Sequence, residues 1–218
     1  MFHFLQIICT LPLRIFFPTK FLGKKNFKKG ACIISSNHTS NMDAPLLAVH
    51  TWEKKYYLAK KELFNSKFKN WFIKGIGGIS IDREGNDITA IKNCIKVLKN
   101  GKKLVVFPEG TRNNNENMEL GEVKNGVAMF AIKAKVPIVP MFIFKKPKIF
   151  RRNKVFIGQP FELSDFYGKK LSNEEIALAS EIVVQKMNEL REIALNSLTK
   201  KQKKWYNLAK EVLYGRKI

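Results

Sequence analysis

The sequence predicts one α/β domain: a mixed, largely parallel sheet flanked by helices, preceded by an interfacial helical segment at the N-terminus. Three observations predict it. Short apolar runs recur at 31–36 (ACIISS), 103–107 (KLVVF) and 137–144 (PIVPMFIF), with the length and composition of strands buried on both faces. Stretches of about ten residues with helical spacing lie between such runs, which suits βαβ units. No repeat or low-complexity linker divides the 218 residues, a length that supports one domain with a sizeable core.

The elements follow in order. The first 22 residues (MFHFLQIICTLPLRIFFPTKFL) lack the basic start and small-residue cleavage site of a signal peptide. Gln6, Pro12, Arg14 and Pro18 interrupt the roughly 20 apolar residues that a bilayer crossing takes. Two readings stay open: a segment lying in a membrane interface with Phe2, Phe4, Phe16 and Phe17 in the acyl region, or a terminal helix packed on the protein's own core. The run 31–36 reads as a buried strand, followed by a polar loop and a helix opening near Ala44 or Pro45. Residues 55–59 and 78–82 (GISID) are further strands. Between 87 and 100, Ile88, Ile91, Ile95 and Leu98 recur at helical spacing, and Gly101 supplies the stop. A helix at 125–135 leads into the strand 137–144, and 154–157 is a last short strand. Ser172 and Glu175 have the capping-box spacing that opens a C-terminal helix. The expected organisation is a membrane-interface segment at 1–25, an α/β core at 26–165 and a helical region at 166–218 within the same domain.

Forty lysines and arginines against 18 acidic residues give a formal charge of +22. Basicity on this scale implies an anionic partner. The 17 phenylalanines gather in apolar runs instead of interleaving with Lys and Arg, which argues against a base-stacking platform and so against nucleic acid. Cys9, Cys32 and Cys94 are odd in number and scattered, as expected of small core residues in a reducing compartment. Three histidines without clustered cysteines argue against zinc, and no metal site is expected.

Four blocks carry candidate chemistry. The first is NHTSNMD at 37–43, beyond the carboxyl end of a predicted strand, where α/β sheets bind ligands. Across this short polar turn the Asp43 carboxylate can fold back onto one His38 nitrogen, leaving the other to accept a proton. The competing reading makes Asp43 the cap of the helix that Pro45 helps to start. The second block is FPEGTR at 107–112. Gly110 lets backbone approach a ligand, Thr111 can donate a hydrogen bond, and Arg112 offers a planar fork suited to phosphate. A plain surface turn with a Glu109–Arg112 ion pair is the alternative. The third is Ile81-Asp82-Arg83, and the fourth is Lys124-Asn125-Gly126 at a helix start, where backbone N–H groups favour an anion. Gly75-Ile76-Gly77-Gly78 precedes a strand and opens no helix, so it is not a dinucleotide loop. No Gly-x-Ser-x-Gly elbow supplies a serine nucleophile.

Together these blocks resemble the 1-acylglycerol-3-phosphate acyltransferase family of His-x4-Asp acyltransferases. NHTSNMD at 37–43, GISIDR at 78–83, FPEGTR at 107–112 and VPIVP at 136–140 stand in the family's order, over roughly 31–144. The resemblance implies that His38 is a general base and Asp43 its partner. It implies that Arg83, Glu109, Gly110, Thr111 and Arg112, with Lys124, hold the phosphate and glycerol part of the acceptor. The implied reaction passes an acyl chain from acyl carrier protein or acyl-CoA to the sn-2 hydroxyl of lysophosphatidic acid, giving phosphatidic acid, with no cofactor. Two departures bear on acceptor fit: Lys67 and Asn70 stand where the family often has proline and glycine, and Asn113-Asn114-Asn115 follows the block where serine is common.

The charge then suggests a peripheral or monotopic place on the cytoplasmic face of an anionic membrane. Clusters such as Lys24-Lys25, Lys28-Lys29, Lys145-Lys146, Arg151-Arg152 and Lys200-Lys201 with Lys203-Lys204 would hold the protein there. The tail with Trp205, Tyr206, Leu208 and Leu213 reads as a basic interfacial helix. The alternatives are another His-x4-Asp acyltransferase, with glycerol-3-phosphate or a different lysolipid as acceptor, and a non-enzymatic basic protein that binds nucleic acid or membrane.

Overall fold

Ile33 and Ile34 are both wholly buried, although neighbouring residues of a strand point to opposite faces, so the strand they sit in is covered on both sides. The computed structural model describes residues 2–27, 29–48, 53–82, 87–113 and 118–197. Among them, seven strands form one sheet: β1 (Thr19–Leu22), β2 (Cys32–Ser36), β3 (Lys55–Lys60), β4 (Gly78–Ile81), β5 (Lys103–Val106), β6 (Ile138–Phe144) and β7 (Asn153–Ile157). Their order is β1-β7-β6-β2-β5-β3-β4. The five strands from β6 to β4 are mutually parallel, β7 runs antiparallel to β6, and β1 lies parallel to β7. The sheet is thus mixed and mostly parallel, as the sequence predicts.

Six helices complete the described chain: α1 (Phe2–Phe16), α2 (Asp43–Ala48), α3 (Lys67–Gly75), α4 (Ile88–Lys99), α5 (Gly126–Ala134) and α6 (Asn173–Asn196). The two faces of the sheet are covered unequally. On one, Ile33, Leu104, Val106 and Ile138 pack against Cys94 and Leu98 of α4, Val127 and Ala131 of α5, and Val183 and Met187 of α6. On the other, Ile34, Val105, Tyr57 and Met141 meet Leu47 of the six-residue α2. So short a helix leaves part of that face open, and a cavity of about 780 Å³ fills the gap between β3, α1, α2 and α3.

Two elements differ from the sequence expectation. Thr19–Leu22 falls in the expected interfacial segment, yet it pairs with β7 over four residues and belongs to the sheet. α3 has no counterpart in the sequence pattern; Ser66 caps it by accepting from the Lys69 N–H at 3.2 Å. The glycines between α3 and β4 have a packing role: Gly77 sits at φ 104° against the Lys55 carbonyl, where a side chain would collide with β3 backbone. The capping box at Ser172 and Glu175 is complete.

At the N-terminus, α1 leaves Ile8, Leu11, Ile15 and Phe16 exposed, whereas Thr10 is buried. The Phe16 carbonyl accepts the Phe150 N–H at 2.7 Å and the two rings lie 5.5 Å apart, which ties the end of α1 to the β6–β7 connection. Among the described residues, no helix is long and apolar enough to cross a membrane. The side chains of Phe2 and Phe4, Lys28, and the basic tail from 198 onward lie outside the described residues.

Candidate active site

The site begins where β2 ends. Asn37 is buried and its amide replaces the next rung of the sheet: Nδ2 donates to the Ile143 carbonyl at 3.1 Å, and Oδ1 accepts the Ile143 N–H at 2.7 Å. The chain then turns out of the strand at His38.

His38 Nδ1 lies 2.9 Å from Asp43 Oδ2. The same oxygen accepts the backbone N–H groups of Thr39 and Ser40 at 2.5 and 2.7 Å, and Oδ1 accepts the Thr39 hydroxyl at 3.2 Å. Asp43 is the first residue of α2, but its carboxylate reaches back into the loop and takes no N–H from the helix ahead. The carboxylate thus contacts His38 and the loop and does not cap α2. The carboxylate is wholly buried and accepts two backbone N–H groups and a hydroxyl beside the imidazole. With Nδ1 engaged by this carboxylate, Nε2 on the far side of the ring is the nitrogen left to accept a proton.

Three further contacts fix His38. Its ring stacks on Phe107 with centroids 4.1 Å apart and planes 18° apart. Its N–H donates to Glu109 Oε1 at 3.0 Å, and its carbonyl accepts the Asn113 N–H at 2.7 Å. Ring, N–H and carbonyl are thus each gripped by the loop 107–113, which the sequence places about seventy residues away.

That loop carries most of the other predicted residues. Thr111 and Arg112 are exposed and line the cavity together with His38, Asn41 and Phe107. Gly110 adopts φ 66°, and Lys124 packs its stem where a Cβ would stand, Cδ and Cε each 3.2 Å from that position. The Lys124 N–H donates to the Pro108 carbonyl at 2.9 Å, so 107–112 and 124 form one unit. Glu109 is placed otherwise than expected. It is buried, and its oxygens accept the His38 and Gly121 N–H groups, so it braces two loops. Arg83 and the loop behind it lie outside the described residues.

The rest of the cavity is mainly apolar: Ile8 and Leu13 of α1, Pro45 of α2, Tyr57 and Leu58 of β3, Phe72 and Ile73 of α3. Two buried polar groups interrupt it. Thr10 lines the wall with a hydroxyl that has no hydrogen-bond partner among the described residues. Lys55, at the first position of β3, is 1% exposed, and its Nζ donates to the Ala48 and Glu53 carbonyls at 3.1 and 3.4 Å. Burial lowers its pKa to about 8. Sequence reasoning missed Asn37, Phe107 and Lys55; the first two stand inside quoted blocks, whereas Lys55 carried no signal beyond a lysine heading an apolar strand.

The chain is similar to known acyltransferases. A model of the family described as Acyltransferase matches residues 19–144. The 1-acyl-sn-glycerol-3-phosphate acyltransferase of Bacillus subtilis is 34% identical over 168 residues, covering 72% of this chain and 80% of the relative. The enzyme of the same name from Streptococcus pneumoniae is 31% identical over 183 residues, 80% of this chain and 63% of the relative. Among solved structures, the 1-acyl-sn-glycerophosphate (LPA) acyltransferase PlsC from Thermotoga maritima superposes with a TM-score of 0.63 at 26% identity, covering 87% of this chain and 78% of that one. The matched span contains His38, Asp43, Arg83, the 107–112 loop and Lys124 together, and the chain belongs to the Acyltransferase family.

Proposed function

We propose that this chain transfers an acyl group from a thioester to the sn-2 hydroxyl of 1-acylglycerol-3-phosphate, giving phosphatidic acid. The observation that carries the reading is the His38–Asp43 pair, 2.9 Å apart, with His38 in the wall of an apolar cavity whose rim bears Thr111 and Arg112. The names of the relatives support the same acceptor.

Asp43 holds Nδ1–H, so Nε2 removes the hydroxyl proton. The oxygen attacks the thioester carbonyl, the tetrahedral intermediate expels the thiolate, and the imidazolium returns its proton to that sulfur. Arg112 and Lys124 bind the acceptor phosphate, with Arg83 joining them as the family resemblance implies. The apolar cavity takes acyl chain, where each buried methylene contributes about 0.8 kcal/mol. The donor is acyl carrier protein or acyl-CoA, both anionic partners suited to a chain of charge +22.

The protein works peripherally or monotopically at the cytoplasmic face of a membrane. Support comes from the exposed Ile8, Leu11, Ile15 and Phe16 of α1 and from the lysine and arginine clusters. The test offers purified protein and vesicles lysophosphatidic acid, glycerol-3-phosphate or lysophosphatidylcholine, each with both thioesters. Phosphatidic acid from lysophosphatidic acid is expected, and His38→Ala should lose ~10²–10⁴-fold in turnover while staying folded. Near-normal synthesis by that variant overturns the reading.

A further inference from the structure

α3 has two faces with different employment. Phe72 and Ile73 point inward and line the cavity, whereas Phe68 and Trp71 point outward, 72% and 47% exposed. Phe68 lies 6.0 Å from Trp71 and 6.4 Å from Phe72, ring to ring, so the aromatic ridge is continuous from the outer surface to the cavity wall. Leu63, in the turn between β3 and α3, is 50% exposed and belongs to both the ridge and the cavity wall. An isolated exposed aromatic is ordinary; a row of them at i, i+3 and i+4 beside a lipid-sized opening is not.

Charge on this segment is one-sided. Residues 60–75 hold Lys60, Lys61, Lys67, Lys69 and Lys74 against a single acid, Glu62. All five lysines are exposed. Lys61 also pairs with Asp82 at 3.7 Å and Lys74 lines a second pocket with Asp82 and Asp87, which leaves Lys67 and Lys69 as the α3 lysines next to Phe68 in the chain. Trp and Phe between lysines suit the boundary of an anionic leaflet, where rings enter the acyl edge and ammonium groups stay at headgroup level.

We propose that the 60–75 segment is a membrane-docking surface that seats an anionic lipid leaflet directly against the cavity mouth. Phe68 and Trp71 insert, Lys67 and Lys69 pair with headgroup phosphates, and Leu63 and Phe72 connect the leaflet to the cavity. A lysolipid then passes sideways from the bilayer into the site without crossing water. This rests on the lipid-acceptor reading above and adds a surface beyond α1.

The experiment uses the full chain with Trp52→Phe and Trp205→Phe, which leaves Trp71 as sole tryptophan. Vesicles of phosphatidylcholine containing phosphatidylglycerol with brominated acyl chains are added. Expected are quenching and a blue shift of Trp71 emission, both reversed by high salt. In sedimentation, Phe68→Ser with Trp71→Ser should weaken vesicle binding by about tenfold or more, while turnover on detergent-dispersed lysophosphatidic acid is retained. Unmoved Trp71 emission on vesicles that nevertheless carry the protein overturns the proposal. So does a change in emission produced by acyl carrier protein or by protein concentration alone in the absence of lipid. With His38 intact, quenching without phosphatidic acid synthesis refutes the reaction and not the surface, and His38→Ala, which removes turnover, should keep the quenching.

Discussion

Glu109 holds His38 by its backbone: Oε1 accepts the His38 N–H at 3.0 Å while Oε2 accepts the Gly121 N–H at 2.9 Å. One buried carboxylate therefore links the histidine loop to the segment that leads into α5. Its removal leaves two N–H donors without their acceptor, at about 1–3 kcal/mol each where the gap stays dry. Glu109→Ala should lower the thermal midpoint and reduce kcat with little change in acceptor KM, because His38 loses its position while the side chains proposed to hold the phosphate remain. Glu109→Gln can still accept at one oxygen and should fall between. A variant that raises acceptor KM alone would show that Glu109 touches substrate instead.

Asp43→Asn tests the orienting role separately. The amide oxygen can still accept from Thr39 and Ser40, yet the group no longer offers an anion to Nδ1–H or to the imidazolium that forms on proton transfer. Turnover should fall by ~10²–10⁴-fold with the circular dichroism spectrum unchanged. Full activity in that variant would remove Asp43 from the mechanism.

Arg112 is exposed at the cavity rim and its backbone neighbour Asn113 is fixed to His38, so its fork is presented on a rigid base. Arg112→Ala should raise the acceptor KM by about tenfold or more, with donor saturation unchanged. Arg112→Lys should recover part of the loss, since a lysine keeps the charge without the bidentate geometry. Steady-state kinetics with each substrate varied in turn separates the two effects.

The sheet was legible because its central strands are continuous apolar runs, and β2, β5 and β6 fall within a residue of their expected limits. β1 was hidden: four residues after Pro18, two of them half-buried aromatic and aliphatic, look the same in an interfacial segment as in an edge strand. α3 was hidden for another reason. Its apolar positions serve two surfaces, so the lysines between them break the single stripe that marks a helix packed on a core. At the site, the His38–Asp43 contact follows from local spacing. The Asn37 and Glu109 bonds do not, because their partners Ile143 and His38 lie 106 and 71 residues away.

Lys55 makes a prediction of opposite sign to that of an ordinary surface lysine. Burial lowers its pKa from 10.5 to about 8, opposed by the Glu53 carboxylate, which favours the charge, and reinforced by Lys103. The unfolded chain holds the proton up to about pH 10.5, whereas the folded protein releases it near pH 8. Between those values the unfolded state binds more protons, so stability rises with pH, by about 1.4 kcal/mol per unit at most. Cys32 and Cys94 work against this from their ordinary value of 9.0 upward, because burial raises their pKa values to about 11 and about 12 and the unfolded thiols ionise first. The Lys55 contribution is therefore cleanest between about pH 7.5 and 9. Denaturant titrations there should show the wild-type protein gaining on the order of 1 kcal/mol relative to Lys55→Met. That variant keeps the length of the side chain and removes the charge from the cavity wall. Parallel pH profiles for the two proteins would mean that Lys55 keeps an ordinary pKa and that water reaches its amine.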